Sequence, residues 1–309
     1  MKKSFAWSAF FSLLVFCWGA QTFAATPAKL MGRTTGHYQA GLNALGGAIN
    51  PPPGDILVIT GNAYHAGAQR DNRGRKVSSP DVNVWGNSWS WLHTLEKGLF
   101  GGSTSFKLTG TWGHVSIQGS MLPENQRVTR IGDPALEISQ GWDFGKVSTV
   151  VRLGVFAGIG DYRKDSMVNY ASGFWSFYGQ TGASCWIDED RRVSATLLGT
   201  YETNTYMQQW SVRPGDAFTL EAGLAYWVHK HLALGLSGVA VWQVTADSGK
   251  DVGWDKNSTY RSYAAGPYAR IMLPFIKPWG QLTLTWWHEF GGRNHLEGNR
   301  IVAELCIPF

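Results

Sequence analysis

His114 and Ser116 stand two residues apart, so in an extended chain an imidazole and a hydroxyl share one face. That pair could begin a nucleophilic hydrolase site, in which the imidazole takes the serine proton and a third group orients the ring. No neighbouring residue supplies the third group, and a histidine and a serine near a strand end read equally as rim residues. Asp247, Asp251 and Asp255, with Gly249 and Asn257 between them, offer the oxygen ligands that calcium takes, but not at the spacing of an EF-hand loop. They read as a solvated acidic loop. Gly158-Ile159-Gly160-Asp161 lacks the third glycine and the following helix of a dinucleotide fingerprint. No CxxC pair and no close His/Cys cluster is present, so neither a metal nor a cofactor is expected.

A second set of groups is more telling. Lys107, Glu137, Asp143, Arg152, Glu202, Glu221, Arg270, Glu289 and Glu304 each sit in a stretch where apolar and polar residues alternate, and each lies on the polar parity. Lys107, Glu137 and Arg152 fall on three consecutive stretches; Arg270, Glu289 and Glu304 fall on three more. Two readings stand. The charges form cross-strand ion pairs that fill an interior, or they form a constriction that filters solutes. Trp227 shares the polar parity and is the best aromatic candidate for the same interior.

The elements that must carry these residues are strands. Twelve segments have strand character, near 55–66, 82–93, 104–117, 134–144, 147–158, 173–187, 192–203, 217–229, 231–244, 260–274, 280–290 and 299–309. In the eighth, Phe218, Leu220, Ala222, Leu224, Tyr226 and Val228 oppose Thr219, Glu221 and Gly223. A period of two excludes amphipathic helices. Connections alternate: Gly145-Lys146, Asp188-Glu189-Asp190 and Lys230 are tight, with 94–103 the one awkward turn. The segments 67–81, 118–133, 159–172, 204–216, 246–259 and 291–298 are expected to be long polar loops. Short turns at one end and long loops at the other are the plan of a transmembrane antiparallel up-and-down β-barrel. The closing stretch IVAELCIPF alternates in the same way and ends on an aromatic, Phe309, a strand suited to uptake by the barrel-assembly machinery.

Composition agrees. Charged residues make up 16% of the chain, below the roughly 25% of soluble domains. The chain has sixteen tryptophans, and those of the barrel suit interfacial belts; Trp85, Trp89 and Trp91 share one parity, and Trp142, Trp175, Trp186, Trp279 and Trp286 add to them. Residues 1–24 have the form of a signal peptide: Lys2 and Lys3, an apolar run from Phe5 to Trp18, and small residues at Thr22 and Ala24. Without that leader, 25 basic residues face 22 acidic ones, too mild an excess for nucleic acid. Cys185 and Cys306 remain, on non-adjacent strands with side chains on opposite faces, so no disulfide is expected between them. Residues 25–54, with Pro51-Pro52-Pro53-Gly54, read as irregular chain that either plugs the barrel or hangs below it.

Five strings carry a resemblance. GHYQAGLNALGGAINPPPGD (36–55), RIGDPALEISQGWDFG (130–145), VWQVTADSGKD (241–251), FAGIGDY (156–162) and the terminal Phe309 resemble, in order and spacing, the outer-membrane protein family of the meta-pathway of phenol degradation. The resemblance implies a Gram-negative outer-membrane channel or transporter, connected with the degradation of aromatic or other hydrophobic compounds, and no enzyme. It brings no site residues. The expected partners are outer-membrane lipid, lipopolysaccharide and a small hydrophobic or aromatic solute. A barrel lipid hydrolase using His114 and Ser116, or a barrel that transports nothing, stays open as an alternative.

Overall fold

The computed structural model describes residues 36–41, 47–118, 125–164, 166 and 168–309. The expected signal peptide, 1–24, lies outside the described residues. Fourteen strands follow in order: β1 (Gly54–Arg70), β2 (Lys76–Ser78), β3 (Asp81–Thr94), β4 (Ser103–Gln118), β5 (Gln126–Ile131), β6 (Ala135–Asp143), β7 (Val147–Phe156), β8 (Ser176–Trp186), β9 (Val193–Asn204), β10 (Ala217–His229), β11 (Leu232–Gln243), β12 (Arg261–Leu273), β13 (Gly280–Arg293) and β14 (Leu296–Pro308). Twelve of them close a barrel. Each pairs antiparallel with its neighbour in sequence, and β14 returns to β1 from Ile56↔Pro308 to Gln69↔Leu296. Closure leaves no free edge, the condition for spanning a bilayer with strands. The strand β2 only extends the first loop, and β5 pairs with the far end of β4 above the break Gly132-Asp133-Pro134.

The distribution of side chains is inverted relative to a soluble protein. Thr60, Asn62, Glu137, Gln180, Thr200, Glu202, Glu221 and Glu289 are buried, while Leu108, Leu136, Leu153, Leu197, Leu224, Leu236 and Ile301 are exposed. Strand alternation sends these two sets to opposite faces. Such an outer wall is stable only against hydrocarbon.

The structure corrects the expected connections. The segment 291–298 is no long loop, because β13 and β14 run on until only Asn294 and His295 separate them, with Asn294 at a positive φ of 51°. The segment 118–133 contains β5. The segment 159–172 turns inward: Val168 and Tyr170 pack with Tyr64, Val82, Val84, Val115 and Ile117 on the inner face of β1, β3 and β4. The awkward turn 94–103 holds a short 3-10 turn, Leu99–Gly101. The acidic loop is stapled rather than loosely solvated: Asp247 is buried and accepts Gly215 N–H at 2.8 Å, Gln243 Nε2 at 2.7 Å and Trp254 Nε1 at 2.7 Å.

Candidate functional site

A lumen crossed by a strand of N-terminal chain is the candidate site. Glu202 on β9 and Glu221 on β10 point inward and are buried, Glu221 completely. A buried carboxylate left without donors costs several kcal/mol. Residues 36–41 supply those donors. Glu202 accepts the backbone N–H of His37 at 2.6 Å and of Tyr38 at 3.2 Å. Glu221 accepts the Tyr38 hydroxyl at 3.0 Å and Gly41 N–H at 2.7 Å. Arg300 on β14 donates to Ala40 O at 3.2 Å, and Arg152 on β7 donates to Gly47 O.

Two glycines make this approach possible. A Cβ at Gly36 would overlap the Glu202 carboxylate. Gly41 has φ +98°, where L side chains are strained, and a Cβ there would meet the Trp287 ring at 2.8 Å. Trp287 is 1% exposed and faces inward. It lies on the polar parity of β13 beside Thr285, the same signal that singled out Trp227, yet the outward tryptophans hid it.

His37 closes the arrangement. Its Nδ1 is 2.6 Å from Ser176 Oγ and its Nε2 is 3.0 Å from Asp133 Oδ2. The carboxylate can only accept, so Nε2 carries a hydrogen. The ring stacks on Phe156 with centroids 5.1 Å apart. Asp133 also accepts Gly160 N–H at 2.8 Å and Ser172 N–H at 2.6 Å, which ties the inward loop to the same carboxylate. Serine, histidine and aspartate here have hydrolase types but not hydrolase access. Ser176 is fully buried and its hydroxyl also reaches Asn204 Oδ1 at 2.6 Å, so no acyl group can approach it. The group is a clamp. His114, by contrast, pairs with Thr129 Oγ1 at 2.8 Å, on the parity opposite inward Val115.

The other predicted residues fall into three places. Glu137 accepts the Tyr178 hydroxyl at 2.5 Å, has Arg152 Nε at 3.7 Å and faces Lys107 in register. Glu304 meets Thr60 at 3.5 Å, with Lys107 and Arg270 bearing on it electrostatically. Glu289 accepts the Tyr64 hydroxyl at 2.7 Å and Gly298 N–H at 2.9 Å. Asp143 has the inward parity but sits exposed at the end of β6, where it caps Gly145 N–H at 2.9 Å, so it does not line the lumen. Trp227 is half-buried at the short-turn end of β10. Sequence reasoning missed His37, Asp133, Ser176, Tyr38 and Tyr178, because their partners lie between 27 and 183 residues away.

Tyr38 and Gln39 divide the interior. On one side is a cavity of about 80 Å³ bordered by Tyr64, Glu202, Val239, Tyr260 and Glu289. On the other is one of about 90 Å³ bordered by Lys107, Glu137, Phe156, Tyr178 and Glu304.

Comparison with known proteins fixes the relationship. The family described as "Putative MetA-pathway of phenol degradation" matches residues 66–305. The chain belongs to this family. Among solved structures, an outer membrane channel from Pseudomonas putida F1 is similar with a TM-score of 0.76 and 14% identity, over 88% of this chain and 100% of that one. A FadL homologue from Pseudomonas aeruginosa aligns with a TM-score of 0.41 and 13% identity, over 93% of this chain and 98% of that one. The translocator domain of the autotransporter NalP from Neisseria meningitidis aligns with a TM-score of 0.46 and 11% identity, over 86% and 92%. No curated protein matches. The family rests on the sequence match, and the fold is that of outer-membrane β-barrels.

Proposed function

We propose that this phenol-degradation family member is a passive channel for small hydrophobic or aromatic molecules, with residues 36–41 as its internal gate. The observation that carries the reading is the strap itself: Tyr38 separates two small cavities that both mix aromatic rings with polar groups. Ligand sites for compact organic molecules have this make-up, apolar walls with a few placed polar atoms. A twelve-stranded barrel is narrower than the porins that hold an open aqueous channel, so one strap suffices to interrupt it. The chain ends and short turns face the periplasm and the long loops face outward, as in other bacterial barrels. A cleavable leader at 1–24 brings the chain to that membrane, and the described residues 36–41 of the N-terminal segment enter the barrel.

The test is uptake of phenolics, alkanoates and sugars into vesicles with a lipopolysaccharide outer leaflet, a leaflet that slows apolar solutes by itself. Protein-dependent flux of phenolics ahead of sugars is expected. Equal leakage of every solute would refute selectivity; no protein-dependent flux would refute a pathway. Hydrolysis of lipid lost on His114→Ala would instead favour the enzyme reading.

A further inference from the structure

A polar cavity of about 430 Å³ lies at the long-loop end, separated from the lumen cavity by Tyr260, which borders both. Its border includes Asn72, Trp242, Thr259, Arg261, Arg293 and Asn294. Arg261 on β12 pairs directly with Arg293 on β13 and with Trp242 on β11. Two like charges placed opposite each other across a ladder repel. Neither guanidinium has a carboxylate within ion-pairing distance among the described residues. Asp255 also borders the cavity, but its Oδ1 is engaged by Asn257 N–H at 3.1 Å. Arg261 Nε is buried with no hydrogen-bond partner. A buried charged donor without an acceptor marks a missing one.

The surroundings say what that acceptor belongs to. Beside the arginines runs an unbroken row of outward rings on four successive strands, Phe218 and Trp242 in register with Arg261 and the Tyr263–Phe290 pair next along the ladder. Phe218 stacks on Trp242 at 6.1 Å, Trp242 meets Tyr263 edge-on at 6.0 Å, and Tyr263 stacks on Phe290 at 6.2 Å. Arg261 also lies 5.8 Å over the Tyr263 ring. Such rows mark the membrane–water interface, with acyl chains on one side and headgroups on the other. The arginines therefore sit at headgroup height, on the leaflet that the long loops face. Guanidinium groups bind phosphate through two parallel bonds, and the amides of Asn72 and Asn294 and the hydroxyl of Thr259 suit a sugar.

We propose that Arg261 and Arg293 form a binding site for the phosphorylated sugar headgroup of an outer-leaflet glycolipid, whose acyl chains lie against the Phe218–Trp242–Tyr263–Phe290 row. The site would anchor β11–β13 in the outer leaflet and relieve the repulsion between the two arginines.

The experiment titrates the full-length barrel in mixed micelles with diphosphorylated lipid A, its dephosphorylated form, and inorganic phosphate, reading bound lipid by native mass spectrometry. Removing the phosphates, or making the double variant Arg261→Gln/Arg293→Gln, is expected to weaken retention by at least about tenfold. Inorganic phosphate at millimolar concentration is expected to leave the lipid in place, because the acyl contacts persist. Equal retention of both lipids by the wild-type barrel overturns the proposal, and this comparison holds even where the double variant fails to fold. Full displacement by inorganic phosphate also overturns it, by showing a free-anion site. Solute flux in vesicles lacking the glycolipid should be the same for wild type and variant, which separates this site from the lumen.

Discussion

The Nε2 of His37 lies 3.0 Å from Oδ2 of Asp133, and both side chains are buried inside the barrel wall. This contact joins the N-terminal strap to the interruption between β5 and β6, which both pair with β4. The same carboxylate holds Gly160 and Ser172, so one residue fixes both segments that enter the lumen.

The clamp predicts an asymmetry. His37→Ala removes a strap contact and leaves Asp133 with its two backbone donors. Asp133→Ala frees the inward loop as well, and strands three donors. The aspartate variant should lose more stability, by about 1–3 kcal/mol for each buried donor left unpaired. Single-channel recording should show raised conductance for both and frequent open–closed noise for Asp133→Ala. Unchanged conductance in both would mean that the strap does not obstruct the path.

Gly41 and Trp287 predict a steric effect. Gly41→Val places a branched side chain at φ +98° against the indole, which L residues tolerate poorly, at a cost of about 1–3 kcal/mol. The strap should leave its seat while the barrel stays folded, read as normal heat-modifiable migration on gels with increased accessibility of the strap to protease. A protected strap would contradict the packing described.

Tyr170 tests the inward loop. Its ring lies in a cradle made by Gly86, Gly113 and Gly132, where any Cβ would touch it. Gly113→Ala should displace the ring, and Tyr170→Ala should vacate the cradle. Each is expected to raise solute flux, because the ring caps the lumen beside Tyr64, Val84 and Val115. Truncating a buried aromatic should cost about 3–5 kcal/mol, measured by urea-driven unfolding in vesicles.

A pH effect belongs to the short-turn end. The backbone N–H of Val193, with that of Arg192, holds the Asp188 carboxyl below its ordinary value. A lowered folded value means that the stabilisation is present above pH about 4 and fades as pH falls through the folded value. Wild type should therefore unfold later than Asp188→Ala at pH 7, and the gap should narrow toward pH 3. A gap that widened on acidification would reverse the sign.

Much of this was legible in sequence for a simple reason. A bilayer imposes period-two alternation on every spanning strand, so Glu137, Arg152, Glu202, Glu221, Glu289 and Glu304 could be placed on the inner face before any coordinates. What alternation does not encode is who meets whom across the lumen. Glu221 and Tyr38 are 183 residues apart, and their contact depends on an irregular segment with no period at all. Parity also misjudged residues at strand ends: Asp143 serves a turn instead of the interior. The break at Gly132-Asp133-Pro134 falls at the boundary read between the loop 118–133 and the strand from 134, but its role as an anchor required the inward loop to be seen beside it.

The most direct test of the account is phenol and glycerol uptake into lipopolysaccharide-faced vesicles, by wild type and by the His37→Ala/Tyr38→Ala variant. The account predicts that wild type passes phenol well ahead of glycerol, and that the variant passes both quickly. Identical fluxes for the two proteins would show that the strap does not control the lumen, and would contradict the proposed gate.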